Sequence, residues 1–227
     1  MKLITTSDGS HSVYSEKFNA AYHSHHGAIQ ESQHVFIKSG LQYFLQHNQT
    51  GTLRIFEMGF GTGLNAFLTF LEMQEKNILV EYTATELHPL SEDVYTLLNY
   101  VELLHAEQHK TGFLNLHKCK WNNFCDISEK FALRKLNTSL QSLIHDQKYH
   151  LVFYDAFAHS AQPELWTKEI FQGIFNEMEE NGVLVTYSAK GQVRRNMQAA
   201  GFQVERIPGP PGKREMLRAI KALSLQP

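Results

Sequence analysis

The residues with the clearest chemical potential lie in the segment 57–65, which reads EMGFGTGLN. Its three glycines alternate with larger residues, and this spacing lets the backbone turn tightly and approach a ligand closely. A short apolar run, LRIF, precedes the segment, and a helical pattern, LNAFLTFLEMQEK, continues from its end. The turn is therefore predicted at the carboxyl end of a strand, where open α/β sheets bind small molecules. The candidate contacts in it are Glu57, Gly59, Phe60, Gly61, Thr62, Gly63 and Asn65.

Two features, the glycine spacing and an acidic residue before the first glycine, distinguish this turn from a dinucleotide site. The spacing is G-x-G-x-G rather than G-x-G-x-x-G, and Glu57, two residues before the first glycine, would repel a pyrophosphate but attract an ammonium group. Glu86 ends the next predicted strand, where an acid accepts hydrogen bonds from both ribose hydroxyls of an adenosine. Together these features predict S-adenosylmethionine as the cofactor. The alternative is a strand–helix turn with a purely structural role.

The aspartate Asp126 has two interpretations. It follows Cys125 in a stretch whose secondary structure the pattern leaves open, between strand and helix. It is a candidate contact for the adenine amino group, or else the N-cap of a helix formed by the following residues, ISEKF.

Apolar strands alternate with helical patterns along most of the chain, which indicates a Rossmann-like α/β fold with a mostly parallel sheet and an antiparallel last strand. A hairpin around Asp8-Gly9 and an amphipathic helix over 28–46 come first, with Gly40 as a weak point of that helix. Pro89 is predicted to open a helix that runs to about His105. We expect an N-terminal appendage, 1–48, on a single structural unit, 49–227.

Composition excludes several classes of protein. The 227 residues are 42% hydrophobic, enough for a buried core, and no apolar run approaches the ~18 residues of a membrane span. The N-terminus lacks the apolar stretch of a signal peptide. Two cysteines, Cys119 and Cys125, are too few for a disulfide scaffold and lack zinc-site spacing, so a reducing, cytoplasmic setting is expected. The histidines at 23, 25 and 26 are interpreted as a histidine-rich loop, and no metal is predicted.

Charge is distributed unevenly. The segment 190–221 holds eight basic residues and two acidic ones, a local charge of +6 in a chain whose net charge is −2. A basic face on an otherwise acidic protein favours a polyanionic partner. The alternative is a solvated surface with ordinary ion pairs.

Six motifs occur in an order typical of a known family: EMGFGTGLN, TELHPL, DAFAHSAQPELW, TYSAKGQVRR, AGF and PGPPGKREML. Together with the earlier YHSHHGAIQESQHVFI, they resemble the tRNA 5-methylaminomethyl-2-thiouridine methyltransferases (MnmC/MnmD type) over about residues 22–219. The resemblance implies N-methylation of 5-aminomethyl-(2-thio)uridine at the tRNA wobble position. One branch of the family is fused to an FAD-dependent oxidase, and we expect the stand-alone form here, without FAD. His159, Ala161 and Gln162 depart from the family pattern, which usually has Pro, Lys and Asn or Gln, so a contact of that lysine is in doubt.

An amine accepts a methyl group only as the neutral base, because the ammonium form has no lone pair. Asp155, at the carboxyl end of the strand LVFY, is the predicted proton acceptor, and its aromatic neighbours would raise its pKa. The alternative is that Asp155 caps the next helix or only orients the amine. Phe60 and Tyr187 are candidates to stack on the uridine, whereas Trp166 is more consistent with core packing.

The basic segment is predicted to contact the phosphates of the tRNA anticodon stem-loop. The residues assigned to this contact are Lys190, Arg194, Arg195, Lys213 and Arg214. Three other functions remain open at this stage: a small-molecule or protein N-methyltransferase, an inactive tRNA-binding relative, and a nicotinamide-dependent oxidoreductase, which the glycine spacing disfavours.

Overall fold

A small antiparallel sheet and an interrupted helix form the N-terminal part of the computed structural model, which describes residues 1–143 and 147–223. The sheet consists of β1 (Lys2–Thr5), β2 (His11–Ser15) and β3 (Ala20–Ala21), and the β1–β2 pairing confirms the predicted hairpin. A continuous helical segment then comprises α1 (Ala28–Ser32), a π-helical stretch (Gln33–Gln42) and α2 (Tyr43–His47). Its apolar side chains share one core with the larger sheet that follows.

Eight strands form the main sheet. They are β4 (Thr52–Met58), β5 (Leu79–Thr85), β6 (Phe124–Ser128), β7 (Phe131–Leu136), β8 (Tyr149–Tyr154), β9 (Met178–Thr186), β10 (Gln203–Pro208) and β11 (Glu215–Ile220). Neighbours follow the order β10-β11-β9-β8-β4-β5-β7-β6. The five central strands from β9 to β7 are parallel, and β11 is antiparallel to both β9 and β10. The predicted α/β class and antiparallel last strand are confirmed, and a second antiparallel pair, β6–β7, lies at the other edge.

Helices cover both faces of this sheet. They are α3 (Leu64–Glu72), α4 (Glu92–Tyr95), α5 (Tyr100–Leu103), α6 (Lys110–Lys118), α7 (Lys168–Asn176) and α8 (Gly191–Ala199), with short 3-10 turns at Glu107–His109, Leu140–Ser142 and Pro163–Trp166. Because successive residues of a strand point to opposite faces, Ile55 and Phe56 of β4 belong to different cores. The first core includes the N-terminal helical segment and α3, and the second includes α7 and α8.

The prediction for the region after Pro89 was wrong in its boundaries. The chain forms two short helices there, and the first begins at Glu92 after Ser91 rather than at the proline. The ambiguous middle resolves into α6 and the strands β6 and β7. Cys119 and Cys125 are joined in a disulfide that links the end of α6 to β6, a pairing that the number and spacing of the cysteines did not predict. Among the described residues, no helix is long and apolar enough to cross a membrane.

Gly40 permits the N-terminal helical segment to pack closely on the sheet. A Cβ atom at this position would lie 2.8 Å from Cγ2 of Val185 and 3.2 Å from the ring of Phe153. Both side chains are completely buried, so neither has free space to move into. Close packing against the sheet therefore explains why a glycine, Gly40, occurs within this helical segment.

We predict that Gly40→Ala lowers the free energy of unfolding by about 1–3 kcal/mol, because the added methyl group overpacks the interface with β8 and β9. Gly173→Ala is the matched control, since Gly173 lies in α7 and a Cβ there would contact nothing within 4 Å. That control is expected to raise stability by about 0.4–1 kcal/mol. Denaturant titration measures both. Equal or greater stability of Gly40→Ala would show that the helix has room to move away from the sheet.

Candidate active site

Three strand ends lie at one level of the sheet. Met58 of β4 is paired with Thr85 of β5 on one side and with Tyr154 of β8 on the other. The residues that follow these three are Gly59, Glu86 and Asp155, so the pairing register brings the predicted ligand-binding turn and two carboxylates together. All three line a cavity of about 320 Å³ at the carboxyl edge of the sheet, which is where such folds bind ligands.

The glycine turn wraps around the end of β5. The backbone N–H groups of Gly59 and Phe60 both donate to the carbonyl oxygen of Thr85, at 3.1 and 2.9 Å. Gly59 and Gly61 have φ angles of 91° and 52°, a region that favours glycine. A Cβ atom on Gly61 would lie 2.9 Å from the ring of Tyr22. The turn therefore needs glycine both for its conformation and for its clearance.

Glu86 holds the loop that leaves β5. One carboxylate oxygen accepts a hydrogen bond from the backbone N–H of Gly61 at 3.0 Å, and the other accepts from that of His88 at 2.7 Å. A carboxylate oxygen has a second acceptor position, and the Glu86 side chain is only half-buried and lines the cavity. Glu86 is thus able to accept further hydrogen bonds from a ligand with paired hydroxyls.

Asn65 connects two carboxylates beneath the cavity. Its side-chain Nδ2 donates to Glu57 Oε1 and to Asp155 Oδ2, each at 2.9 Å. Its Oδ1 is buried and has no hydrogen-bond partner among the described residues. Asn65 and Asp155 line the cavity, whereas Glu57 is fully buried behind them. Direct contact between Glu57 and a ligand ammonium does not fit this burial, whereas contact through water stays a prediction; in this structure Glu57 positions Asn65.

Both carboxyl groups are shifted towards their protonated forms. Burial raises the pKa of Asp155 to about 7, the charge of Glu31 adds to the rise, and the Asn65 hydrogen bond and the Lys213 charge oppose it. Burial also raises the pKa of Glu57 well above its usual range, against hydrogen bonds from Asn65 and Tyr82. Asp155 therefore exchanges its proton near neutral pH, which suits a group that takes a proton from a substrate.

Segments distant in sequence complete the cavity wall. Glu31 of α1 is 7% exposed, lines the cavity and forms an ion pair with Lys213, whose Nζ lies 2.6 Å from Glu31 Oε1. The Lys213 ammonium also lies 4.0 Å from the centre of the Tyr187 ring. His23 lines the cavity as well, and burial lowers its pKa to about 4. Glu31 carried no signal in the sequence beyond its place in the N-terminal family motif.

The structure places the other predicted site residues as follows. Phe60, Gly61 and Thr62 line the cavity, and Gly63 instead precedes α3 as its N-cap. Asp126 is exposed on the edge strand β6 and lies outside the cavity lining. Its adenine contact has no geometric support, and its N-cap alternative is wrong because ISEKF continues a strand into a turn.

The basic residues divide into two groups. Lys213 is corrected from a free phosphate ligand to a partner of Glu31 inside the cavity wall. Lys190, Arg195 and Arg214 are exposed, and none of the ion pairs between described residues includes them. Arg194 is half-buried, and its Nε is enclosed without a hydrogen-bond partner among the described residues. Lys190, Arg195 and Arg214 can therefore contact a partner from the surface, whereas Arg194 is partly enclosed by the fold.

Aromatic side chains surround the cavity mouth. Tyr187 lines it and donates a hydrogen bond to the carbonyl of Ala156, whereas Trp166 is completely buried in the second core, as the helical spacing suggested. Phe18 and Phe157 also line it, with ring centres 4.6 Å apart. Among the residues that the structure describes, no group of three or more His, Cys, Asp or Glu side chains is arranged to hold a metal ion.

Comparison with known proteins identifies the family. A sequence model described as S-adenosyl-L-methionine-dependent methyltransferase matches residues 101–222, more than half of the chain. The chain belongs to this family. It is therefore an S-adenosylmethionine-dependent methyltransferase, and the predicted cofactor is confirmed.

Individual relatives agree with the resemblance seen in the motifs. A Methylobacillus flagellatus protein named tRNA 5-methylaminomethyl-2-thiouridine biosynthesis bifunctional protein MnmC is 30% identical over 226 residues, covering 94% of this chain and 34% of that protein. A Pseudomonas syringae pv. syringae protein of the same name is 31% identical over 214 residues, covering 90% and 32%. The chain spans about a third of the length of these relatives. The crystal structure of MNMC2 from Aquifex aeolicus is 25% identical, with a TM-score of 0.77 over all of this chain and 72% of that one.

The cavity fits the cofactor on its own evidence. Asn65 Oδ1 is a buried acceptor that lacks a donor, which suits an ammonium group of a methionine moiety. Glu86 offers the paired acceptor positions that two ribose hydroxyls need. The glycine turn lies between them and leaves its backbone open to the cavity.

We predict that Glu86→Ala weakens S-adenosylmethionine binding by about 1.5–3 kcal/mol, because a charge-assisted hydrogen-bond acceptor is lost. Glu92→Ala is the control, since Glu92 is exposed and its ion pair with Lys118 is 3.7 Å long and outside the cavity. Isothermal titration measures both affinities. An unchanged affinity in Glu86→Ala would mean that the ribose is held elsewhere.

Proposed function

We propose that this chain methylates the primary amine of 5-aminomethyl-(2-thio)uridine at the wobble position of tRNA, producing 5-methylaminomethyl-(2-thio)uridine. The names of the relatives support the tRNA substrate, and the motifs DAFAHSAQPELW and TYSAKGQVRR both contribute residues to the cavity wall. With tRNA as the substrate, the proposal also places the protein in the cytoplasm.

One observation carries the proposal: Asp155 faces the cavity beside the glycine turn, with a pKa of about 7. A substrate amine enters mostly as ammonium and has to lose a proton before it attacks a methyl group. A carboxylate with an ordinary pKa is a weak acceptor for that proton, whereas the pKa of Asp155, about 7, lies close to neutral pH. The bound cofactor supplies the methyl group as an electrophile.

The surroundings of Asp155 fix the direction in which it accepts the proton. Asn65 Nδ2 donates a hydrogen bond to Asp155 Oδ2, so Asp155 Oδ1 is the oxygen left for the substrate amine. The backbone N–H of Asp155 donates to the carbonyl of Met58 at 3.2 Å, which holds the residue at the end of β8. An amine that binds Oδ1 is thereby held in one orientation, and fixed orientation of the reacting groups supplies much of the rate of such transfers.

Exposed cations beside the cavity suit the phosphates of an RNA. Lys190 precedes α8 at the carboxyl edge of the sheet, and Arg195 lies one helical turn further on. Arg214 belongs to the turn between β10 and β11, next to the cavity residue Lys213. We propose that these three bind the anticodon stem-loop while the wobble base enters the cavity.

The direct test of this function is nucleoside analysis of tRNA from cells that lack the protein. The proposal predicts that 5-aminomethyl-uridines accumulate and 5-methylaminomethyl-uridines disappear, and that both changes reverse when the gene is restored. An unchanged wobble-uridine profile would contradict the proposed tRNA substrate and would favour a small-molecule or protein amine.

We predict that Asp155→Asn keeps cofactor binding and lowers turnover by roughly 10²–10⁴-fold, because the amide cannot take a proton. In the wild type, kcat/KM should rise with pH through about 7, where Asp155 becomes ionised, and the variant should lack that inflection. Asp93→Asn, an exposed carboxylate of α4, is the control. Turnover within a few-fold of wild type at neutral pH would show that Asp155 is not the base.

We predict that Lys190→Glu combined with Arg195→Glu raises the KM for tRNA and leaves cofactor affinity unchanged. Each lost phosphate contact should reduce the slope of log affinity against log salt by roughly 0.7–0.9. Lys130→Glu is the control, because Lys130 is exposed just before β7, at the opposite edge of the sheet. An unaltered KM and salt slope in the double variant would show that α8 is not part of the tRNA-binding surface.

A further inference from the structure

The ion pair between Glu31 and Lys213 has features that a simple structural link does not need. Glu31 is buried, with one oxygen bound to Lys213 Nζ at 2.6 Å and the other to the backbone N–H of Ser24 at 2.9 Å. Lys213 reaches it from the β10–β11 turn and keeps about a third of its side chain exposed. Two hydrogen bonds thus hold the Glu31 carboxylate in place, whereas Lys213 belongs to the partly exposed turn between β10 and β11.

The Lys213 ammonium occupies a small binding site of its own. It contacts Glu31 Oε1 and the face of the Tyr187 ring, 4.0 Å from the ring centre. A carboxylate and an aromatic face are the two groups that bind alkylammonium ions. Glu31, Tyr187, Lys213 and the proposed base Asp155 all line the same cavity.

We propose that Glu31 and the face of Tyr187 form an ammonium-binding site, in which Lys213 is exchanged for the substrate's primary ammonium when the substrate binds. This inference rests on the proposed amine substrate. The aminomethyl group and the lysine side chain present the same chemical group, a primary ammonium on a methylene carbon, so each satisfies the same partners.

Charge balance favours exchange over simultaneous occupancy. Four carboxylates line the cavity, and two of them, Glu31 and Asp155, interact with the charge of the one lysine in the lining, Lys213. A substrate ammonium beside Lys213 would meet a like charge in a poorly solvated site, which is unfavourable. When Lys213 moves to the solvent, the substrate ammonium restores the charge balance. Glu31 is then a specificity-determining residue, because it selects cationic over neutral substituents on the uridine.

The test compares the binding of two nucleosides by titration calorimetry at pH 8. The probes are 5-aminomethyluridine and 5-hydroxymethyluridine, whose substituents differ mainly in charge. Lys213→Met should bind the amine about two- to fivefold more tightly than wild type, since the partly exposed Lys213 ammonium no longer competes for Glu31. Glu31→Gln should bind it about tenfold more weakly or worse, because a charged acceptor is lost. Neither variant should change the affinity for the hydroxymethyl nucleoside.

The same hairpin offers a matched pair of controls. Arg206 and Glu215 form an exposed ion pair at 3.4 Å outside the cavity lining, so Arg206→Met and Glu215→Gln remove equivalent charges without touching the site. Both should bind the two nucleosides as wild type does. Melting temperature and cofactor affinity confirm that each variant is folded.

An affinity of Lys213→Met for the amine equal to or lower than that of wild type would overturn the exchange. If the wild type binds neither nucleoside, the proposed uridine substrate is contradicted. The ammonium-binding site is then tested separately, with ethylammonium as the ligand. Its titration is followed through the ring resonances of Tyr187. Tighter ethylammonium binding in Lys213→Met would support the site, and equal binding would reject it.

Discussion

The amide of Asn65 is the interaction on which the arrangement of the site depends. It donates from one nitrogen to Glu57 of β4 and to Asp155, which follows β8, each at 2.9 Å. Two carboxyl groups so close to each other, and so removed from water, cannot both remain charged without a donor between them. The amide supplies that donor: burial raises the pKa of both carboxyl groups, and the hydrogen bonds from Asn65 hold part of that rise back. Asp155 faces the cavity with the proton affinity that its proposed role needs.

The parallel register of the central strands makes this contact possible. Met58 lies opposite Thr85 and Tyr154, so the next residues on the three strands emerge together. A shift of one residue would exchange the side chains of a strand between the two cores on either face of the sheet. The same register that buries the core therefore aligns the glycine turn, the proposed ribose-binding carboxylate Glu86 and the proposed base Asp155. Residues from both ends of the chain close the cavity, and Glu31 and Lys213 meet across 182 positions of sequence.

The sequence was most informative where chemistry follows a strand end. The glycine turn, Glu86 and Asp155 were predictable because local spacing and strand order fix their location. Glu57 was assigned to the ligand because its charge was visible, but its burial behind Asn65 depends on side-chain packing. Glu31 was not predicted, since its role arises only from contact with Lys213. The pattern around Asp126 allowed either a strand or a helix, and the antiparallel edge strand that forms there leaves Asp126 outside the cavity lining.

A crystal structure with sinefungin tests the central claim most directly, since this cofactor analogue carries an amine where S-adenosylmethionine carries the transferable methyl group. The account predicts that the ribose hydroxyls bind Glu86 and that the sinefungin amine lies towards Asp155 Oδ1, close enough for a hydrogen bond directly or through one water molecule. An amine directed away from Asp155, with that carboxylate still bound only to Asn65, would contradict the assignment of Asp155 as the proton acceptor.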